Sequence, residues 1–233
     1  KIGAVAVLIR LAGLGGHTAQ GGFTAVLVLF AALSMTYGNL AALVQNDLKR
    51  LIAFSSISHA GFMMVGILSG NVPGYAGAIY YVGGYLLMNI ALFYVIYALA
   101  PAGENVTFES LRGLHTRAPL LALTLAAGAF GLAGIPPTVG FQGKFFVLTA
   151  ALQQGHLALV IVGALNTAIS IFYYLKMVRS AYTAEGEESL AGNIRLSPLG
   201  HALGYGLTLA IIVFGAFPGS ILALFRSAVS WLA

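Results

Sequence analysis

Two lysines and a histidine stand where the surrounding sequence leaves them little water. Lys144 lies in Gly140-Phe141-Gln142-Gly143-Lys144-Phe145-Phe146, seven residues after the paired Pro136-Pro137. Ten residues separate it from the polar loop at Gln154. That is about 15 Å of helical rise, half of a roughly 30 Å hydrocarbon core. Lys1 precedes Gly15 by fourteen residues, or about 21 Å by the same rise. A cation at such depth costs at least about 2.5–3.5 kcal/mol, and a functional role is the default reading. Loss of water disfavours the ammonium form, so a lysine there can release and regain a proton. The competing reading is a structural lysine, paired with a carboxylate or capping carbonyls freed at the proline break.

His59 is the third candidate. It falls ten residues into the apolar run that starts near Lys49, again about 15 Å deep. An imidazole titrates near neutral pH, which suits a proton relay; a lone buried histidine can also be a hydrogen-bonded core residue. Ser55, at i−4, shares its helix face, and Ser56 and Ser58 extend a polar stripe. Tyr81, Tyr85 and Asn89 recur every four residues and could line the same wet seam, or serve only interhelical hydrogen bonding. Gln142, close to Lys144, is a further candidate for channel lining.

The elements that must position these residues follow from composition. Of 233 residues, 59% are hydrophobic and 7% charged, whereas soluble domains carry roughly a quarter charged residues. The expected fold is an all-α integral membrane protein, a bundle of about seven transmembrane spans in one domain, residues 1–233. The runs are Ile2 to Leu14, Phe23 to Val44, Leu48 to Leu68, Tyr75 to Leu99, Ala118 to Leu152, Leu157 to Arg179 and His201 to Phe225. Because the chain opens on Lys1 inside an apolar run, the first span (1–14) is expected to be truncated. The stretch 15–22 reads as a glycine-rich turn. With no cysteine, disulfides and thiolate metal sites are excluded. The five histidines and six acids are too scattered for an evident metal cluster, and no metal or cofactor is expected in this chain. The basic residues form no patch, so the net charge of +5 indicates membrane topology, not a nucleic-acid partner.

Charge falls in every second loop. The loops at 45–50, 101–117 and 182–198, with their flanks, hold Lys49, Arg50, Arg112, Arg117, Lys176, Arg179 and Arg195, and all six acids. The alternate loops near 15–22, 69–74 and 153–156 hold none, and Arg226 is the one basic residue at that side. By the positive-inside rule the charged loops are expected to be cytoplasmic in a bacterial inner membrane. The fifth run, 118–152, is too long for one straight span and contains Gly134-Ile135-Pro136-Pro137-Thr138-Val139-Gly140. Two consecutive prolines remove two donors and predict a broken helix. Such breaks mark ion sites in transporters and are tolerated only where protein or water pairs the freed backbone; a kink that serves packing alone is the plainer reading.

These segments carry a resemblance. Gln45-Asn46-Asp47-Leu48-Lys49-Arg50 through Ser55-Ser56-Ile57-Ser58-His59-Ala60-Gly61-Phe62, and Leu132-Ala133-Gly134-Ile135-Pro136-Pro137 through Phe141-Gln142-Gly143-Lys144-Phe145, resemble the antiporter-like proton-pumping subunits of respiratory complex I (NADH:quinone oxidoreductase). Lysine after the break, together with Ser110-Leu111-Arg112-Gly113-Leu114, favours the subunit N branch over subunit M, which typically carries glutamate there. The resemblance covers essentially the whole chain. It implies that residues 23–181 form a five-helix inverted repeat, that 201–225 form the last span, and that Lys1, His59 and Lys144 match the family's buried relay. It also implies a non-redox subunit of a translocating enzyme. The chain alone would catalyse nothing, and its partners would be the lipid bilayer and the other membrane subunits of complex I. A subunit of a multisubunit cation/proton antiporter or membrane hydrogenase is the related alternative, and a non-conducting membrane scaffold the unrelated one.

Overall fold

A helix that is apolar all round pairs its own backbone and can turn every face to hydrocarbon or to another helix. The long runs fold accordingly. The computed structural model describes residues 2–14, 16–100, 102–183, 194 and 196–230. The described residues form α1 (Ile2–Leu14), α2 (Gly16–Leu43), α3 (Leu48–Leu68), α4 (Val72–Leu99), α5 (Leu114–Arg117), α6 (Pro119–Ala133), α7 (Val139–Gln153), α8 (Leu157–Tyr182), α9 (Pro198–Ala216) and α10 (Gly219–Val229). Five of them, α2, α3, α4, α8 and α9, are each long and apolar enough to cross a bilayer alone. The shorter α1 and the broken pair α6 and α7 bring the bundle to about seven spans, all helical. Its outer surface is largely apolar: Val26, Leu29, Leu33, Tyr37 and Leu40 form an exposed stripe along α2 at helical spacing.

Helix starts are written locally. Asp47 caps α3 by accepting from the Arg50 amide at 2.8 Å. Asn71 caps α4 from the Gly74 amide at 2.8 Å, and Ser197 caps α9 from the Gly200 amide at 3.1 Å. In α4 and α9 a proline occupies the first turn, where its missing N–H costs nothing.

The fifth run is broken as the prolines predict, with α6 ending at Ala133 and α7 starting at Val139. Neighbouring backbone crosses close to the gap. A Cβ on Gly140 would overlap the Gly131 carbonyl, and one on Gly215 of α9 would overlap the Pro137 and Thr138 backbone.

Two expected boundaries differ. The helix of α2 begins at Gly16, so most of the supposed turn at 15–22 is helical. Glycine costs only about 1 kcal/mol in a helix, less than unpaired backbone costs at a membrane. The last run, read as continuous from His201 to Phe225, starts at Pro198 and is interrupted at Phe217–Pro218 before α10. Pro218 has no amide to continue α9.

The charged loops at 45–50 and 101–117 meet. The Leu48 amide donates to the Val106 carbonyl at 2.9 Å, Asp47 bridges Thr107, and Lys49 Nζ donates to the Gly103 and Glu104 carbonyls at 3.1 and 2.8 Å. The end of α8 joins them: the Gly113 amide donates to the Thr183 carbonyl at 3.1 Å, and Lys176 lies 4.2 Å over the Phe108 ring. The start of α3, the α4–α6 loop and the end of α8 therefore share one side of the bundle. Lys1, Glu185, Glu187, Glu188 and Arg195 lie outside the described residues.

Candidate functional site

The site begins with the unpaired end of α6. A helix leaves its last four carbonyls without intrahelical partners; here these are Phe130, Gly131, Leu132 and Ala133. Gly134 turns left-handed at φ 84°, a conformation glycine adopts without a Cβ penalty. Its amide takes the Phe130 and Gly131 carbonyls at 3.0 Å each, and the Ile135 amide takes Phe130 at 3.0 Å, the backbone turn that commonly closes helices. Leu132 and Ala133 remain. In an unbroken helix their partners would be the amides of residues 136 and 137, and both are proline. Lys144 supplies the missing donors. Its Nζ donates to the Leu132 and Ala133 carbonyls at 3.1 and 3.0 Å and reaches Ser170 Oγ at 3.5 Å. With 4% of its surface exposed, the amine is enclosed, and the Phe62 ring centroid lies 4.9 Å away. The negative end of the α6 dipole thus faces the ammonium.

His59 is held by phenols. Its Nδ1 lies 2.6 Å from the Tyr81 hydroxyl and its Nε2 lies 3.2 Å from that of Tyr174. The Tyr85 ring packs 5.2 Å from the imidazole, centroid to centroid. All three chains meet in the core: His59 and Tyr81 are buried, as is Tyr174. An imidazole bonded at both nitrogens can take a proton at one and release it at the other.

Helix geometry brings the two groups together. Phe62 is nearly one turn beyond His59 on α3. Ser170, at Lys144, and Tyr174, at His59, are one turn apart on α8 and share a face. Tyr81 also packs against α7 at Gly143, where a Cβ would collide with its ring.

The other candidates divide. Ser55 donates to the Ile52 carbonyl at 2.9 Å. Ser56 donates to the Ala53 carbonyl at 2.6 Å, and it and Asn89 are hydrogen-bonding neighbours of Tyr85. Asn89 Nδ2 donates to the Tyr85 carbonyl at 2.8 Å. Gln142 is half-buried and, two residues before Lys144, projects from another face of α7. Lys1, outside the described residues, cannot be placed beside the others. Among the described residues no three His, Asp or Glu side chains gather as a metal site.

Sequence reasoning missed Tyr174 and Ser170, and with them a second buried polar cluster. Asn39 Nδ2 donates to the Asn166 carbonyl at 2.8 Å and to Asn166 Oδ1 at 3.0 Å. Asn166 Nδ2 donates to Thr36 Oγ1 and to the Val162 carbonyl, and the Tyr173 hydroxyl donates to Asn39 Oδ1 at 2.8 Å. The signal was present: Asn166, Ser170 and Tyr174 recur every four residues on α8, the spacing recognised on α4. Arg10 was also overlooked; it is exposed on α1.

Residues 1–170 match the family described as NADH:quinone oxidoreductase/Mrp antiporter, TM. The chain is 48% identical over 219 residues to NADH-quinone oxidoreductase subunit N 2 of Solidesulfovibrio magneticus, covering 94% of this chain and 46% of that protein. It spans about half the length of the curated relatives it matches. It superposes on a chain of respiratory complex I from Thermus thermophilus with a TM-score of 0.71 at 32% identity, over 85% of this chain and 44% of that one. The same fold occurs in the Mrp complex from Dietzia sp., with a TM-score of 0.87 over 98% of this chain and 51% of that one, at 21% identity. Matched by the family over 170 of its 233 residues, the chain belongs to the transmembrane subunits common to NADH:quinone oxidoreductases and Mrp antiporters.

Proposed function

We propose that this chain is the antiporter-like part of a subunit N of NADH:quinone oxidoreductase in a bacterial inner membrane. In this reading it moves protons through Lys1, His59 and Lys144 with intervening water. It holds no redox cofactor; NADH oxidation and quinone reduction belong to partner subunits of the complex. One observation carries the reading: an enclosed amine at a helix break meets Ser170 and Phe62, and one helical turn from each of these stand Tyr174 and His59, the histidine being bonded at both nitrogens. Each is a group that can gain and lose a proton. The 48% identity to a subunit N favours this assembly over a cation/proton antiporter, where the likeness is one of fold.

The test uses the full-length subunit in its assembled complex. Lys144→Ala should assemble and oxidise NADH, yet take up fewer protons per NADH in inverted membrane vesicles. Parent-like proton uptake by the assembled variant would leave a scaffold role as the better account.

A further inference from the structure

Arg10 is a charge with no counterpart on its own side of the bundle. One face of α1 carries Val5 and Ile9, which are buried where the helix packs on α3 and α4. Gly3, Val7, Arg10 and Leu11 stand on the opposite face and are exposed. The residues around Arg10 in α1 are apolar on both sides of it. Its guanidinium makes no ion pair or hydrogen bond with any described residue.

Membrane topology does not account for it. The end of α1 leads into the start of α2. The charged loop at 45–50 lies beyond the other end of α2, whose 28 residues span about 42 Å. Basic residues anchor the side read as cytoplasmic, and Arg10 is near the opposite one. The described acids are no help either. Asp47, Glu104 and Glu109 all belong to the far loops. A guanidinium keeps its proton, and arginines within spanning helices pair with another group or turn to a bundle interior.

A lipid phosphate or a protein carboxylate could answer the charge, and Gly3 favours the carboxylate. It lies on the exposed stripe, with Val7 and Arg10 at i+4 and i+7. A Cβ there would meet nothing in this chain, so glycine weakens the helix without serving α1's own packing. Ala6, beside it, is small and exposed as well. Small residues let a second helix come close in a membrane, whereas fluid lipid has no need of a flat surface.

We infer that the Gly3–Val7–Arg10 face of α1 is an interface, covered in the assembled membrane complex by a helix that carries an aspartate or glutamate at the depth of Arg10. The small residues set the approach and the ion pair sets the register. The inference goes beyond the transport reading and uses neither Lys144 nor His59.

The test places the photoreactive residue p-benzoylphenylalanine at Val7, beside Arg10, in the full-length subunit of the assembled complex. Irradiation in native membranes joins it to whatever packs there, and mass spectrometry identifies the adduct. A peptide from a membrane-spanning segment is expected, with Asp or Glu within one helical turn of the joined residue. Phospholipid adducts alone, or a segment with no acid within that turn, overturn the inference. Arg10→Leu gives a second reading. Leucine enters a bilayer more readily than arginine, so the variant should be inserted. Its share in the assembled complex should nevertheless fall about tenfold or more, because the carboxylate is left buried and unpaired. An arginine facing lipid predicts recovery equal to the parent or better, and that result also overturns the inference. If Arg10→Leu is not inserted, the adduct at Val7 decides, since there Arg10 is in place. Proton uptake enters neither reading, so the interface can hold in a protein that pumps nothing, and it can fail while uptake still depends on Lys144.

Discussion

Lys144 closes the end of α6, and in the proposed reading it also carries the relayed proton, two roles that substitution can separate. Removing its side chain leaves the buried Leu132 and Ala133 carbonyls without donors. Each orphaned buried acceptor costs about 1–3 kcal/mol, so the two together cost about 2–6 kcal/mol. Against this stands relief from a buried cation, about 2.5–3.5 kcal/mol on insertion scales. The two effects overlap in size, so Lys144→Ala should assemble with stability within about 4 kcal/mol of the parent. Lys144→Arg keeps the charge and has donors for both carbonyls, but its proton does not leave. Its extra length, in a site where Gly134 approaches the lysine chain closely, costs about 1–3 kcal/mol. Both variants should therefore be present in the complex, and both should be defective in proton passage. Loss of an acid–base group lowers its step on the order of a hundredfold or more, so uptake should fall to what the other subunits carry. The assay is NADH-driven proton uptake in inverted vesicles, normalised to assembled complex. Arginine at parent activity would refute proton cycling at position 144 and leave only the helix-ending role.

Further outcomes follow from other contacts. Tyr81→Phe removes the 2.6 Å partner of His59 Nδ1 and should slow proton uptake in the assembled complex; an unchanged rate would remove Tyr81 from the path. Gly215→Val should lower the amount of folded protein, because its Cβ meets the Pro137 and Thr138 backbone and not a movable side chain. Normal yield and melting of that variant would show that α9 can shift away from the break. Single cysteines at Thr116 and Gln154 should react with a membrane-impermeant reagent from opposite sides. Labelling of both from one side would overturn the topology read from charge alternation.

Much of the fold was legible because hydrophobic runs, caps and prolines act locally. The paired prolines marked the break, and alternating charge marked which loops meet. Boundaries were harder where glycine or a single proline interrupts an apolar run. The glycines at 16–22 demand no turn, and Pro218 ends α9 inside what hydropathy reads as one segment. At the site, depth along each helix identified Lys144 and His59 as buried. The partners were not legible, because they depend on which faces meet. Tyr174 and Ser170 belong to α8, whose spacing of four repeats the pattern on α4, but nothing local aims that stripe at α3. Asn39 was harder still, one amide in an apolar helix whose partners lie 127 and 134 residues away.

The break in the fifth run has an electrical consequence. One straight helix would keep its partial charges at the two membrane faces. Cutting it brings two poles to the gap, the positive start of α7 and the negative end of α6, each equivalent to about half an elementary charge, and the lysine amine sits on the negative one. This counter-charge is made of peptide dipoles and has no proton of its own. A lysine balanced by a glutamate would leave a buried carboxylate behind on losing its proton, and the pair would titrate as one unit. A lysine balanced by backbone leaves only carbonyls, whose charge is the same before and after. In the proposed reading, a proton gained or lost there would change the charge of the lysine alone.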